Sequence, residues 1–167
     1  MKKTNTILFT YDRPIQARLM LESFIEKQSQ AFISKKNQPN AKGISGFHIE
    51  TGLYFRSSCE ANFILSNPDL NLISAETKLF RSRYLSPVTG KKRSYFPDFF
   101  SVFSQVLFEI KPIGWRDFYK QESISVVDAK IDSATELCNK TGWSFSLKEI
   151  SCISKREMFL LRRQDVI

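Results

Sequence analysis

YFPDFFSVFSQVLFEIKP, residues 95–112, sets one aspartate, one glutamate and one lysine among aromatic and aliphatic neighbours, where charges are costly to bury. Read as strands, the stretch sorts by parity, because alternate side chains share a face. Leu107, Glu109 and Lys111 point one way in QVLFEIK, and Val106, Phe108 and Ile110 the other. In the preceding KRSYFPDFF, Phe96, Asp98 and Phe100 form one face and Tyr95, Pro97 and Phe99 the opposite one. If the two strands pair, Asp98 projects beside Glu109.

Two carboxylates held together repel each other, and a divalent cation or a neighbouring base is the usual way to keep both ionised. Oxygen ligands from Asp98 and Glu109 suit Mg²⁺ or Mn²⁺, whereas zinc would call for histidine or cysteine. Lys111, one strand step from Glu109, is placed to position or deprotonate a water and to offset charge developing on a phosphate. The pattern is that of a phosphodiester-hydrolysing site.

The surrounding sequence supplies a frame for it. TILFTY reads as a short strand, followed from Pro14 by a helix over PIQARLMLESFIEKQSQAF, and the polar SKKNQPNAKGISG reads as a linker. RSSCEANFIL opens a second helix, with Ser57 and Glu60 spaced as a capping box, and Asn67-Pro68 closes it. ETKLFRSRYLS and KRSYFPDFF read as neighbouring antiparallel strands joined by PVTGKK. QVLFEIK ends at Pro112. SVVDAKIDSATELCNKTG carries Val127, Ile131, Ala134 and Cys138 at helical spacing with Gly142 as its stop, and WSFSLKEI is a last strand. The order predicts an α/β fold with a mixed β-sheet flanked by helices.

Composition narrows the partners. The 167 residues are enough for one domain with a real core, and 15 phenylalanines argue against disorder. No apolar run is long enough to cross a bilayer, and MKKTNTILFTYDRP makes a poor signal peptide. Cys59, Cys138 and Cys152 are odd in number and form no CxxC pair, so no disulfide is expected and a reducing cytoplasmic interior fits. The formal charge of +8 favours a polyanion. Arg81, Arg83, Lys91, Lys92 and Arg93, on the hairpin leading into the acidic strand, could track a phosphate backbone, and Arg56 is a further phosphate candidate. His48, the one histidine, is read as structural, and the terminal KREMFLLRRQ as an amphipathic segment that packs on the domain or docks a partner.

PDFFSVFSQVLFEIK resembles the PD-(D/E)xK nuclease signature, and RSSCE resembles the helix that brings that superfamily an extra glutamate. The run from YFRSSCEANF to AKIDSATELCNKTGWSFSLKE is similar to phage head-completion nucleases and to the endonuclease subunit of heteromeric transposases. The resemblance implies a restriction-endonuclease-like core over residues 42–152, with residues 1–41 an extension and linker and residues 153–167 a C-terminal helix. It implies that Asp98, Glu109 and Glu60 serve the metal, that Lys111 is the catalytic lysine, and that Lys130 supports the site or contacts phosphate. DNA is then the substrate, with Mg²⁺ or Mn²⁺ as cofactor and cleavage leaving a 5′-phosphate. A homodimer, a transposase or a phage assembly component is the expected partner, and no membrane is involved. Two rivals remain at this point: a catalytically silent nuclease-like DNA-binding or assembly module, and a glycosyltransferase-like fragment suggested by TYDRP.

Overall fold

The computed structural model describes residues 45–167. The strand and helix expected before Ser34, most of the linker and the TYDRP segment lie outside the described residues.

A short antiparallel hairpin, β1 (Gly46–Phe47) and β2 (Tyr54–Phe55), leads into helix α1 (Ser58–Ser66). Gly46 is needed there, because a Cβ would lie 2.8 Å from the Phe55 ring. Ser57 caps α1 by accepting the Glu60 N–H, and Asn67 ends it by donating to the Phe63 carbonyl. A central sheet follows, in spatial order β3 (Leu72–Ser74), β6 (Phe99–Ser101), β7 (Val106–Pro112) and β8 (Ser144–Ile150). β6 runs antiparallel to both of its neighbours, β3 and β7, and β8 runs parallel to β7, so the sheet is mixed as expected. The parallel step needs a crossover, which the short α2 (Trp115–Phe118) and the long α3 (Gln121–Thr141) provide. A last helix, α4 (Lys155–Arg163), is closed at its start by a capping box of Ser154 and Glu157.

Both faces of β6 and β7 are buried, which explains their nearly unbroken apolar sequence. Phe99 and Phe108, paired across the two strands, join Phe63, Ile110 and Met158 in the core under α1 and α4. Phe100 and Leu107, the next pair along, face the other way and meet Ile73, Phe80 and Cys138 beneath α3. The alternation inferred for β7 therefore holds. Trp143, just past Gly142, packs its ring against Phe80 and Phe100 and closes that second core.

Three expectations are corrected. First, residues 92–100 do not form one strand: β5 (Lys92–Tyr95) pairs with β4 (Ser82–Leu85) in a separate two-stranded ribbon, while β6 belongs to the central sheet. Pro97 sits in the break with no N–H to give a ladder, and the parity of the face assignment is lost across it. Second, the stretch starting at Glu76 is not extended throughout. Lys78–Phe80 is a 3₁₀ turn, and one edge of the central sheet is the unexpected β3. Third, Cys59 and Cys152, 93 residues apart, form a disulfide that joins α1 to the segment after β8, and Cys138 is the free, buried thiol among the described residues. Spacing could not reveal that pair, because the fold alone brings α1 beside the end of the parallel strand.

Candidate active site

Asp98 is fixed before its side chain does anything. Its N–H donates to the Phe108 carbonyl at 3.0 Å and its own carbonyl accepts from the Ala75 N–H at 3.0 Å, so the backbone is pinned between β7 and the end of β3. Its Oδ2 accepts the Ile110 N–H at 2.8 Å. One carboxylate oxygen, Oδ1, is left to face the cavity. There it accepts from Arg56 Nη2 at 3.0 Å.

Glu109 reaches the same place from β7. Its Oε2 accepts the Tyr95 hydroxyl at 2.6 Å and its Oε1 is engaged by the Lys111 ammonium. Glu60 arrives from the first turn of α1, where its carboxylate takes the Ser57 hydroxyl at 2.9 Å and the Arg56 N–H at 2.8 Å. It holds the hydroxyl of the cap Ser57 and is a wall of the site, but it takes the Arg56 N–H rather than the Ser57 N–H, so the expected capping box is not closed. Asp98, Glu109 and Glu60 are each less than a tenth exposed.

They line a cavity of about 580 Å³ together with Arg56, Lys111 and Lys130. Burial, then Glu109, then Glu60 push the Asp98 carboxyl well above the ordinary aspartate range, outweighing the Ile110 N–H and Lys111. Burial works against the Lys111 ammonium, but Glu109 with Asp98 and Tyr119 more than offsets it and holds the lysine above its usual value. The Arg56 guanidinium is raised in the same way, with Glu76, Glu60 and Asp98 together overcoming desolvation. Burial and Glu109 push the Tyr95 phenol up as well, so it acts as a neutral donor.

The sequence-derived candidates divide into two groups. Glu60, Asp98, Glu109, Lys111, Arg56 and Lys130 converge on one cavity. Lys130, on the inner side of α3, lies 5.7 Å from the centre of the Tyr95 ring. Arg81, Arg83, Lys91, Lys92 and Arg93 do not line the cavity. Arg83, Lys92 and Arg93 lie on the β4–β5 ribbon, Arg81 just before it and Lys91 in its turn, and all five side chains are exposed. His48 is buried in the β1–β2 turn against Thr51, where desolvation lowers its pKa.

Of the lining residues that were not among the candidates, two hold the charged groups. Tyr95 had been assigned to the face away from Glu109, and the Pro97 break is the signal that could have corrected it. Glu76 carried no signal: it follows β3 and holds Arg56 Nη2 at 2.7 Å.

The donor chemistry fits a hard divalent cation, since the acidic lining offers carboxylate oxygens with no histidine or cysteine among them. It is not a ready-made cage: among the described residues no three acidic, histidine or cysteine side chains stand as a metal-binding group. The oxygens are held by Arg56, Lys111 and Tyr95 instead.

Residues 67–149 match the family model described as TnsA-like endonuclease N terminal. This stretch resembles the TnsA-like endonucleases. The TnsA-like region contains Asp98, Glu109, Lys111 and Lys130, along with the whole central sheet but the last residue of β8, and it begins just after α1. Its mixed sheet flanked by helices agrees with the restriction-endonuclease-like fold of PD-(D/E)xK nucleases. No curated protein and no solved structure matches the chain.

Proposed function

We propose that the protein is a metal-dependent DNA endonuclease that cleaves phosphodiester bonds at transposon ends alongside a transposase partner. The observation that carries this reading is the pair of buried carboxylates, Asp98 and Glu109, brought together by paired strands with Lys111 beside them inside a TnsA-like domain. Asp98 and Glu109, with Glu60, would hold Mg²⁺ or Mn²⁺, which at such oxygens supplies Lewis-acid activation of water and neutralises phosphate charge. Lys111, kept protonated by Glu109, acts as a cation that orients the phosphate and offsets its growing charge. Tyr95 holds the far oxygen of Glu109, which leaves one rotamer for the carboxylate. Lys130 and the ribbon cations extend positive charge outward along the path of a duplex backbone.

The family match favours the transposase endonucleases over the phage head-completion nucleases to which the sequence is also similar. The described residues contain no helix long and apolar enough to cross a membrane. Cutting both strands of a duplex calls for two active sites, so a second copy or a partner enzyme completes the reaction. Light scattering with and without a DNA end separates those two arrangements.

The deciding experiment is cleavage of supercoiled plasmid in Mg²⁺, in Mn²⁺ and in chelator, comparing the wild type with Asp98→Ala and Lys111→Ala. Nicking or linearisation that requires metal and is lost in both variants is the expected result. DNA binding with no cleavage under any condition would favour a silent assembly module.

A further inference from the structure

Arg56 Nη2 touches two carboxylates at once, Asp98 Oδ1 at 3.0 Å and Glu76 Oε1 at 2.7 Å. Asp98 belongs to the nuclease signature and Glu76 does not. The other Asp98 oxygen is committed to the Ile110 N–H, so the guanidinium covers the oxygen that faces the cavity. Arg56 thus stands where a cation would be wanted. Glu76 lies on the rim, about a third exposed, and the Arg56 side chain is half-exposed, so the arm has room to move while Asp98 does not.

We propose that Arg56 is an exchangeable counter-ion: it neutralises Asp98 in the metal-free protein, gives up that oxygen when a divalent cation arrives, and turns to the substrate phosphate while Glu76 keeps it at the cavity mouth. This rests on the metal-dependent nuclease reading above. A divalent ion on Oδ1 repels a guanidinium beside it, whereas Glu76, one side chain further out, continues to attract it. The freed N–H groups then form the planar fork that suits a phosphate. Arg56 becomes a phosphate-contacting residue and Glu76 a positioning residue.

Competition between Arg56 and metal gives a readout that needs no catalysis. Mn²⁺ binding to the full chain without DNA is measured from the loss of the free-ion electron paramagnetic signal, for wild type, Arg56→Gln, Glu76→Gln and Asp98→Ala. Removing the competitor should tighten Mn²⁺ binding in Arg56→Gln by roughly three- to tenfold, the scale of one partly exposed charge-assisted contact. Glu76→Gln should bind Mn²⁺ no more than about twofold differently from wild type. Duplex binding in Ca²⁺ should weaken in both variants. On the wild-type protein, the Arg56 Nε–H resonance should move on addition of Mg²⁺, a measurement that stands even if Arg56→Gln does not fold.

Mn²⁺ affinity in a folded Arg56→Gln equal to or weaker than wild type, or an Arg56 resonance indifferent to Mg²⁺, would overturn the exchange. If Asp98→Ala abolishes Mn²⁺ binding in that case, the metal centre stands and only the exchange is lost. Equal Mn²⁺ binding by wild type and Asp98→Ala would instead remove the metal centre on which both readings depend.

Discussion

Asp98 shows how a buried carboxylate burdens the fold that holds it. Its folded-state pKa lies above the ordinary aspartate value, so folding takes up a proton between the two. The contribution of this carboxyl is complete below the unfolded pKa and is lost as pH rises through the folded one. Asp98→Asn removes the titrating carboxyl, though its amide NH₂ must face either the Ile110 or the Arg56 donor. In chelator, relative to wild type, its melting temperature should therefore gain about 2–4 °C on going from about pH 4 to neutral pH, which differential scanning fluorimetry across pH would check. Tyr95 makes the complementary case, since Tyr95→Phe deletes one hydroxyl from a 2.6 Å bond to Glu109. Cleavage should fall by about tenfold with the melting temperature nearly kept, on the scale of one lost hydrogen bond to a charged group. The shared face of Glu109 and Lys111 was legible in the sequence because strand parity is a local rule and β7 obeys it, and Asp98 was put beside Glu109 only by supposing that the two stretches pair. Tyr95 was not, because Pro97 breaks the strand and resets the parity. The Arg56 contacts were out of reach of any pattern, since Asp98 lies 42 residues further on.

At the scale of elements, the ribbon and the disulfide do different work. The β4–β5 ribbon pairs apart from the central sheet and carries exposed Arg83, Lys92 and Arg93, while its Tyr84 and Ser94 line the cavity. Replacing Lys91, Lys92 and Arg93 together with glutamine should weaken binding to any duplex without changing preference among sequences. The slope of log affinity against log salt should drop by roughly 2–3, measured by fluorescence anisotropy. The Cys59–Cys152 bridge ties the helix bearing Glu60 to the far end of the parallel strand. Cys152→Ser should lower unfolding free energy by about 2–5 kcal/mol under oxidising conditions and by little in dithiothreitol, read from urea titrations in the two buffers. Long elements with strong periodicity, such as α3 and β7, could be placed from the sequence within a few residues. Strands of three or four residues could not: β3 is too short to show a period, and it is held by pairing with β6 rather than by its own composition.

Taken whole, the molecule is a basic chain that keeps a concentrated acidic site at the centre of one sheet. Its net charge of +8 favours association with a polyanion. The mixed sheet flanked by helices was legible from the order of elements, because hydrophobic periodicity and the stop signals at Pro112 and Gly142 are properties of the chain itself. The closing of the site was not, since it depends on which strand leaves the sheet. Arg56 and Lys111 already answer the charges of Asp98 and Glu109, so the polypeptide can reach its final shape with no ion to template it. On the metal-dependent reading proposed above, maturation and arming are separate events: newly made molecules can accumulate folded and idle, and withdrawing the ion should disarm them reversibly rather than unravel them.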